Sequence, residues 1–403
     1  MKRYCEKFIS DDLKKKMVFI GGPRQVGKTT LSKNLCGAHD KKCTYFNWDA
    51  EEDRRAILAK QWLPDTPLIV FDELHKYLRW KRWIKGVYDV RPNNQQYLVT
   101  GSARLDVYKR GGDSLMGRYH YWRLHPFTID EIPNNISKQT AYERLLTIGG
   151  FPEPFLSGDE RESRRWRRER FDRILKEDIR DLENIRNIQL LSMFSDALRA
   201  RVGGLITLSN LAQDLEVAPK TCKAWLAIIE KMYIAFSVTP LSRNVPRAVL
   251  KPPKVYFFDN ADVAAIVNDN GNNTEGTKLE NLVATTLLKR LHFIEDYFGY
   301  KCKLHYIRDK DGREVDFAVF IDGVLVHLIE VKLSDNNISS SLSYYAAKLQ
   351  PKHASQIVGN QKNAFKKQNI LVANPIDFFT NIFPPPWIDG GVDPMLITDK
   401  TSH

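Results

Sequence analysis

Apolar residues in the first third of the chain gather in short continuous runs. Met17-Val18-Phe19-Ile20, Leu68-Ile69-Val70-Phe71 and Tyr97-Leu98-Val99 have the length of buried strands, and Cys43–Trp48 and Tyr119–Leu124 read as shorter, aromatic-rich ones. Asp49–Lys60 between them has a helical period with one charged face, and Pro64 and Pro67 punctuate the entry to the Leu68 run. Strands alternating with helices predict a parallel sheet covered on both faces, with ligands at the carboxyl ends of its strands. The pattern then turns helix-rich. Leu208–Leu215 and Pro219–Met232 are helical, the second with Trp225, Leu226, Ile229 and Met232 on one face, and Tyr233–Val238 and Lys251–Asp259 read as strands. Asn268–Thr277 reads as an Asn- and Gly-rich loop, and Lys278–Leu291 as an amphipathic helix. Glu314–Phe320 and Leu325–Lys332 are strands joined by a turn at Asp322-Gly323, and Ile370–Ala373 is a last short strand.

Composition narrows the class. With 403 residues, the chain predicts about two or three domains, and 43% hydrophobic residues supply material for their cores. The apolar runs are all far shorter than a bilayer span, and Met1–Lys16 lacks the apolar core of a signal peptide, so the expected setting is cytoplasmic with no membrane role. Five scattered cysteines without a C-x-x-C pair predict reduced thiols and give no support for zinc. A net charge of +12 suits a polyanionic partner, without distinguishing nucleic acid from an acidic protein or membrane surface.

The chemistry begins at the end of the first run. Gly22-Pro23-Arg24-Gln25-Val26-Gly27-Lys28-Thr29 reads G-x-x-x-x-G-K-T, a phosphate-binding loop, with Thr30 following it into a helix. Glycines let successive N–H groups curl around a polyphosphate, and the helix N-terminus adds positive potential. Lys28 would reach the terminal phosphates of ATP and the Thr29 hydroxyl would hold Mg²⁺. The strand ending Asp72-Glu73 supplies a second Mg²⁺ partner in Asp72 and a water-polarising base in Glu73, unless both acids only cap the next helix. The strand Gln96–Ser102 ends in hydroxyl residues; Thr100 or Ser102 would sense the γ-phosphate, or mark a plain strand-to-turn junction.

Phosphate loop, D-E strand, T-G-S strand and Gly117-Arg118 before the Tyr119 strand together resemble the AAA+ ATPases. More closely, the chain resembles prokaryotic AAA-type ATPases with a nuclease-like C-terminal half, which also carry the turn cluster Gly149-Gly150-Phe151-Pro152 and a strand like Lys251–Asp259. The resemblance implies a homo-oligomer in which Arg118, or Arg104 in its place, acts in trans on a neighbour's nucleotide.

Two later stretches bear on a partner. Arg161, Arg164, Arg165, Arg167, Arg168, Arg170 and Arg173 crowd one helix with Trp166 and Phe171. It would track a phosphate backbone with an aromatic for stacking, or, given the interleaved Glu162, Glu169 and Asp172, form a solvated face of ion pairs. The helix pair and following strand of Ile206–Val238 suggest a winged helix-turn-helix, with Lys220, Thr221 and Lys223 facing DNA; such modules also serve as protein contacts.

The last constellation is Glu280, Asp316, Glu330 and Lys332. A period of two puts Glu330 and Lys332 on one strand face. The set resembles the PD-(D/E)xK nuclease fold, which implies Mg²⁺ ligands in Asp316 and Glu330, Glu280 completing the metal shell, and Lys332 steadying the attacking water or the phosphorane charge. A salt-bridged hairpin is the plainer alternative.

The expected architecture is therefore α/β: an AAA+ core with a parallel sheet and helices on both faces (1–130), a helical connector (131–200), a winged helix-turn-helix (201–250), a PD-(D/E)xK nuclease-like α/β domain (251–375) and a tail (376–403). The expected function is a Mg-dependent ATPase acting on DNA. The alternative is a nucleotide-controlled scaffold whose silent nuclease-like domain contacts a protein partner.

Overall fold

The computed structural model describes residues 2–38, 43–101, 115–175, 188–242, 251–264, 274–334 and 337–382. Ser102, Arg104 and the tail from 383 onward lie outside the described residues. Two compact units divide the chain, Met1–His125 and Pro126–His403.

The first unit is built on five strands: β1 (Met17–Gly21), β2 (Cys43–Asn47), β3 (Leu68–Asp72), β4 (Gln96–Thr100) and β5 (Tyr119–Arg123). All pairings are parallel and the order is β2-β3-β4-β1-β5. β1 and β3 are buried along their whole length, as their continuous apolar runs require of strands covered on both faces. The covering helices are α1 (Glu6–Leu13), α2 (Lys28–Gly37), α3 (Glu51–Ala59) and α4 (Trp80–Asp89). Phe19, Phe46, Phe71, Trp80 and Tyr97 share one buried cluster, with Phe71 stacked on Tyr97 at 5.9 Å.

The expectation of reduced thiols fails at one place. Cys36 and Cys43 form a disulfide, because the end of α2 and the start of β2 bring their Cα atoms to 5.3 Å. Cys5 and Cys222 are buried and Cys302 is half-buried, all three outside the disulfide.

The second unit opens with α5 (Lys138–Thr147), whose N-cap Ser137 accepts from the Thr140 N–H, and α6 (Pro152–Ser157). α7 (Glu160–Arg173) is the basic helix, capped by Asp159. Trp166 is not available for stacking on a ligand. It is buried against Phe151 at 5.1 Å and its indole N–H donates to Glu153, because the helix buries the one stripe that carries Ser163, Trp166 and Arg170. Arg161, Arg164, Arg165, Arg168 and Arg173 are exposed. α8 (Ile188–Arg199), α9 (Leu208–Asp214) and α10 (Pro219–Lys231) follow; Trp225, Leu226 and Ile229 of α10 are buried.

An eight-stranded mixed sheet completes the unit: β6 (Ala235–Pro240), β7 (Lys254–Phe257), β8 (Cys302–Arg308), β9 (Glu314–Ile321), β10 (Val324–Lys332), β11 (His353–Val358), β12 (Phe365–Lys367) and β13 (Ile370–Ala373). The order is β12-β13-β11-β10-β9-β8-β6-β7. β6, which follows the helix pair, runs antiparallel to β7 and pairs with β8, so the strand expected as part of a separate small module belongs to the large sheet. α11 (Asn260–Ala264) precedes the long α12 (Thr274–Phe293), and α13 (Ser340–Leu349) packs on the sheet. Thr274–Thr277, expected in a loop, form the first turn of α12. Lys289 and Arg290 of α12 are fully buried because each meets an acid: Lys289 reaches Glu131 at 2.6 Å, and Arg290 holds both oxygens of Asp130 at 3.0 and 2.9 Å.

Candidate functional site

The loop between β1 and α2 follows from its glycines. Gly22 has φ 137°, and a Cβ there would meet the Leu124 carbonyl at 2.3 Å. Gly27, at φ 96°, is the N-cap of α2 and offers no side chain to the first-turn N–H groups, which leaves them to an anion. The buried Arg3 braces the loop, donating to the carbonyls of Val26 at 2.9 Å and His125 at 2.6 Å. Sequence reading missed Arg3, and nothing local marks it.

Lys28 is buried at the start of α2 and its ammonium donates to the carbonyls of Gly22 at 3.1 Å and Pro23 at 2.7 Å. Thr29 Oγ1 donates to Asp72 Oδ2 at 2.7 Å, which brings together the two residues expected at Mg²⁺. The same oxygen accepts from Tyr45 at 2.5 Å, and Asp72 Oδ1 accepts from Thr100. Three hydroxyls from three elements thus hold one buried carboxylate. Thr100 serves Asp72 here; Ser102 lies outside the described residues. Tyr45 was missed because strand pairing, not spacing, brings β2 beside β3, with Asn47 opposite Asp72. Thr29 and Asp72 fit the oxygen donor set of Mg²⁺, and the open helix terminus fits a phosphate.

Glu73 adopts a left-handed backbone at φ 57°, uncommon for a non-glycine residue and frequent at functional sites. Its carboxylate lies 3.5 Å from the Lys76 ammonium and 3.7 Å from the His75 ring. Burial pushes the Glu73 carboxyl above the usual range, against the pull of Lys28 and Lys76, as suits a base.

Arg118 precedes β5, level with the start of β1, where Met17 pairs with Tyr119. The loop leaves the other end of β1, roughly 13 Å away by strand rise. Arg118 makes a two-pronged ion pair with Asp89 at 2.7 and 3.2 Å.

In the second unit, Lys220 and Lys223 are exposed on the first turns of α10, with Thr221 half-buried. Glu280 (α12), Asp316 (β9), Glu330 and Lys332 (β10) do come together, with Glu314 and Lys254 added. Lys254 Nζ reaches Glu314 at 2.6 Å, Asp316 at 3.2 Å and Glu280 at 3.3 Å. Tyr256 donates to Glu280 at 2.6 Å, the Val331 N–H to Asp316 at 2.9 Å, and Lys332 pairs with Glu330 at 2.8 Å. Burial, and next the neighbouring Asp316, push Glu280 and Glu330 each up to about 7, since four carboxylates face two ammonium groups here. Burial lowers the Lys254 ammonium, but Asp316, Glu280 and Glu314 outweigh it and hold it above the usual lysine range. Among the described residues no three His, Cys, Asp or Glu side chains form a metal shell, and the Lys254 ammonium stands within 3.3 Å of both Glu280 and Asp316. Among the described residues no helix is long and apolar enough to cross a membrane.

Comparison with known proteins matches three stretches of the chain. Residues 14–133 match the family described as AAA domain, and residues 139–273 and 275–379 match two families each described as a domain of unknown function (DUF8612 and DUF4143). Two uncharacterized proteins, of Mycobacterium bovis and Mycobacterium tuberculosis, are each 25% identical over 378 residues, covering 90% of this chain and 80% of their own length. Among solved structures, the RuvB Holliday junction branch migration motor of Thermotoga maritima is 15% identical and covers 61% of this chain and 93% of its own, with a TM-score of 0.29. Bacteroides Pif1 bound to single-stranded DNA is 15% identical over 35% of this chain and 44% of its own, with a TM-score of 0.21. Both scores are too low to build on. With the phosphate loop and parallel sheet already described, the match over residues 14–133 makes the amino-terminal part of the chain a P-loop ATPase domain of the AAA kind.

Proposed function

We propose that this protein is a Mg-dependent ATPase that uses ATP binding and hydrolysis to control a carboxy-terminal half working on DNA. The observation that carries the ATPase reading is the meeting of Thr29 and Asp72 at the carboxyl ends of β1 and β3, next to Lys28 and Glu73. Lys28 leaves the loop carbonyls to pair with the terminal phosphates, Glu73 orients the attacking water and accepts its proton, and the N–H groups of Gly27–Thr30 cradle the phosphate oxygens. Thr29 and Asp72 would hold Mg²⁺, which when bound would supply charge neutralisation at the phosphates. Arg118 lies at the far end of the sheet from its own loop, so it acts in trans within a homo-oligomer.

For the DNA role the support is the charge of +12 and the exposed Lys220 and Lys223 at the start of α10, the second helix of the α9–α10 pair. A second reading, a nuclease-like domain that binds a partner without cutting, is favoured by Lys254 among the acids. ATP turnover with and without single-stranded, duplex and branched DNA, with gels of the same samples, tests both. The first reading expects turnover stimulated by DNA. Turnover indifferent to every DNA, with no cutting, favours the second, and no turnover under any condition overturns the ATPase reading.

A further inference from the structure

Lysine is almost never fully buried unless it is paired, and Lys254 is 3% exposed. Its partners come from two elements. Glu314 and Asp316 project from the same face of β9 by the period of two, and Glu280 arrives from α12. An ammonium has three N–H donors and no acceptor, and Lys254 finds three carboxylates at 2.6, 3.2 and 3.3 Å. These are hydrogen-bond lengths; Mg²⁺ would draw its oxygens to roughly 2.1 Å. Beside this triad, Glu330 Oε2 is buried with no hydrogen-bond partner. The acids therefore have the density of a cation site, and the cation at its centre belongs to the chain.

We propose that Lys254 is a tethered cation that takes the divalent-metal position between Glu280 and Asp316, so that the native cluster excludes Mg²⁺ and vacating Lys254 turns it into a metal site. A dication placed between those two carboxylates would stand within hydrogen-bond distance of the ammonium, with like charges and no water between them. Replacing Lys254 by an uncharged residue leaves Glu280, Glu314 and Asp316 without their neutralising partner and with oxygens free for a hard ion. The inference deepens the reading of a non-cutting domain. Its readout is metal binding, so a chain that cuts nothing yet binds metal through Asp316 would sink it while leaving that reading in place.

The test uses the full chain without nucleotide, titrated with Mn²⁺ and followed by the electron paramagnetic resonance of free Mn²⁺ and by calorimetry. Wild type is expected to bind no Mn²⁺ that Asp316→Asn abolishes. Lys254→Met is expected to gain one site, at least about tenfold tighter than any wild-type binding and lost again in Lys254→Met combined with Asp316→Asn. Mn²⁺ should raise the melting temperature of Lys254→Met by more than that of wild type. Wild-type binding that depends on Asp316, or a folded Lys254→Met that binds no better than wild type, overturns the proposal. Should Lys254→Met be unfolded without metal, refolding on addition of Mn²⁺ supports the proposal and failure to refold overturns it.

Discussion

The Tyr45 hydroxyl donates to Asp72 Oδ2 at 2.5 Å, on the oxygen that Thr29 also reaches. Burial, with this hydrogen bond to Asp72 next, holds the phenol far above its usual range, so it remains a donor at any working pH. A donor in that place fixes the orientation of a carboxylate that, on the proposed function, would present an oxygen to Mg²⁺. Tyr45→Phe keeps the ring and removes the donor; the Mg²⁺ concentration for half-maximal ATP turnover should rise about tenfold, with turnover at saturating Mg²⁺ retained. An unchanged Mg²⁺ titration would remove Tyr45 from the site.

Glu73→Gln should bind a fluorescent ATP analogue as wild type does and hydrolyse ATP at least about a hundredfold more slowly. The wild-type rate should fall as pH drops through the raised Glu73 value, because the base works deprotonated and burial favours its protonated form. In Glu73→Gln that acid limb should disappear. A variant that turns over normally would show that another group handles the water.

Arg118 is held by Asp89 and stands away from its own loop. Arg118→Ala should therefore lower turnover roughly a thousandfold, and mixing it with inactive Glu73→Gln should restore part of the activity, since each supplies what its neighbour lacks. A mixture as inactive as its components rejects the trans role.

Asp259 accepts the Gly150 N–H at 2.8 Å, and burial together with Asp262 pushes its carboxyl up to about 7, against Arg170 and Arg167. A folded-state value above the ordinary 3.8 means that the folded chain holds the proton more tightly. The stability it lends is complete below the ordinary value and is lost as pH rises through the raised one. Asp259→Asn keeps the acceptor and abolishes the titration, so the melting temperature of variant minus wild type should be larger at about pH 8 than at about pH 5. Equal differences would refute the shift.

What the sequence reveals is what lies within one element or one turn. Gly22, Gly27 and Lys28 sit within a single loop, and Asp72 ends a run that can only be a buried strand, so both were readable. The alternation in Glu314–Phe320 and Leu325–Lys332 marked the hairpin for the same reason. Tyr45 and Lys254 were not readable because their partners lie across strand pairings and helix packing far along the chain. Trp166 misled because a helix crowded with arginines reads as wholly exposed, whereas its one apolar stripe faces Phe151.

Because β6 and β7 hydrogen-bond into the same sheet as β8–β10, the segment leading out of α10 and the strand bearing Lys254 are one plate. The helix that displays Lys220 and Lys223 is thereby joined to the ammonium and its carboxylates through one turn, residues 232–234, and two adjacent strands, β6 and β7.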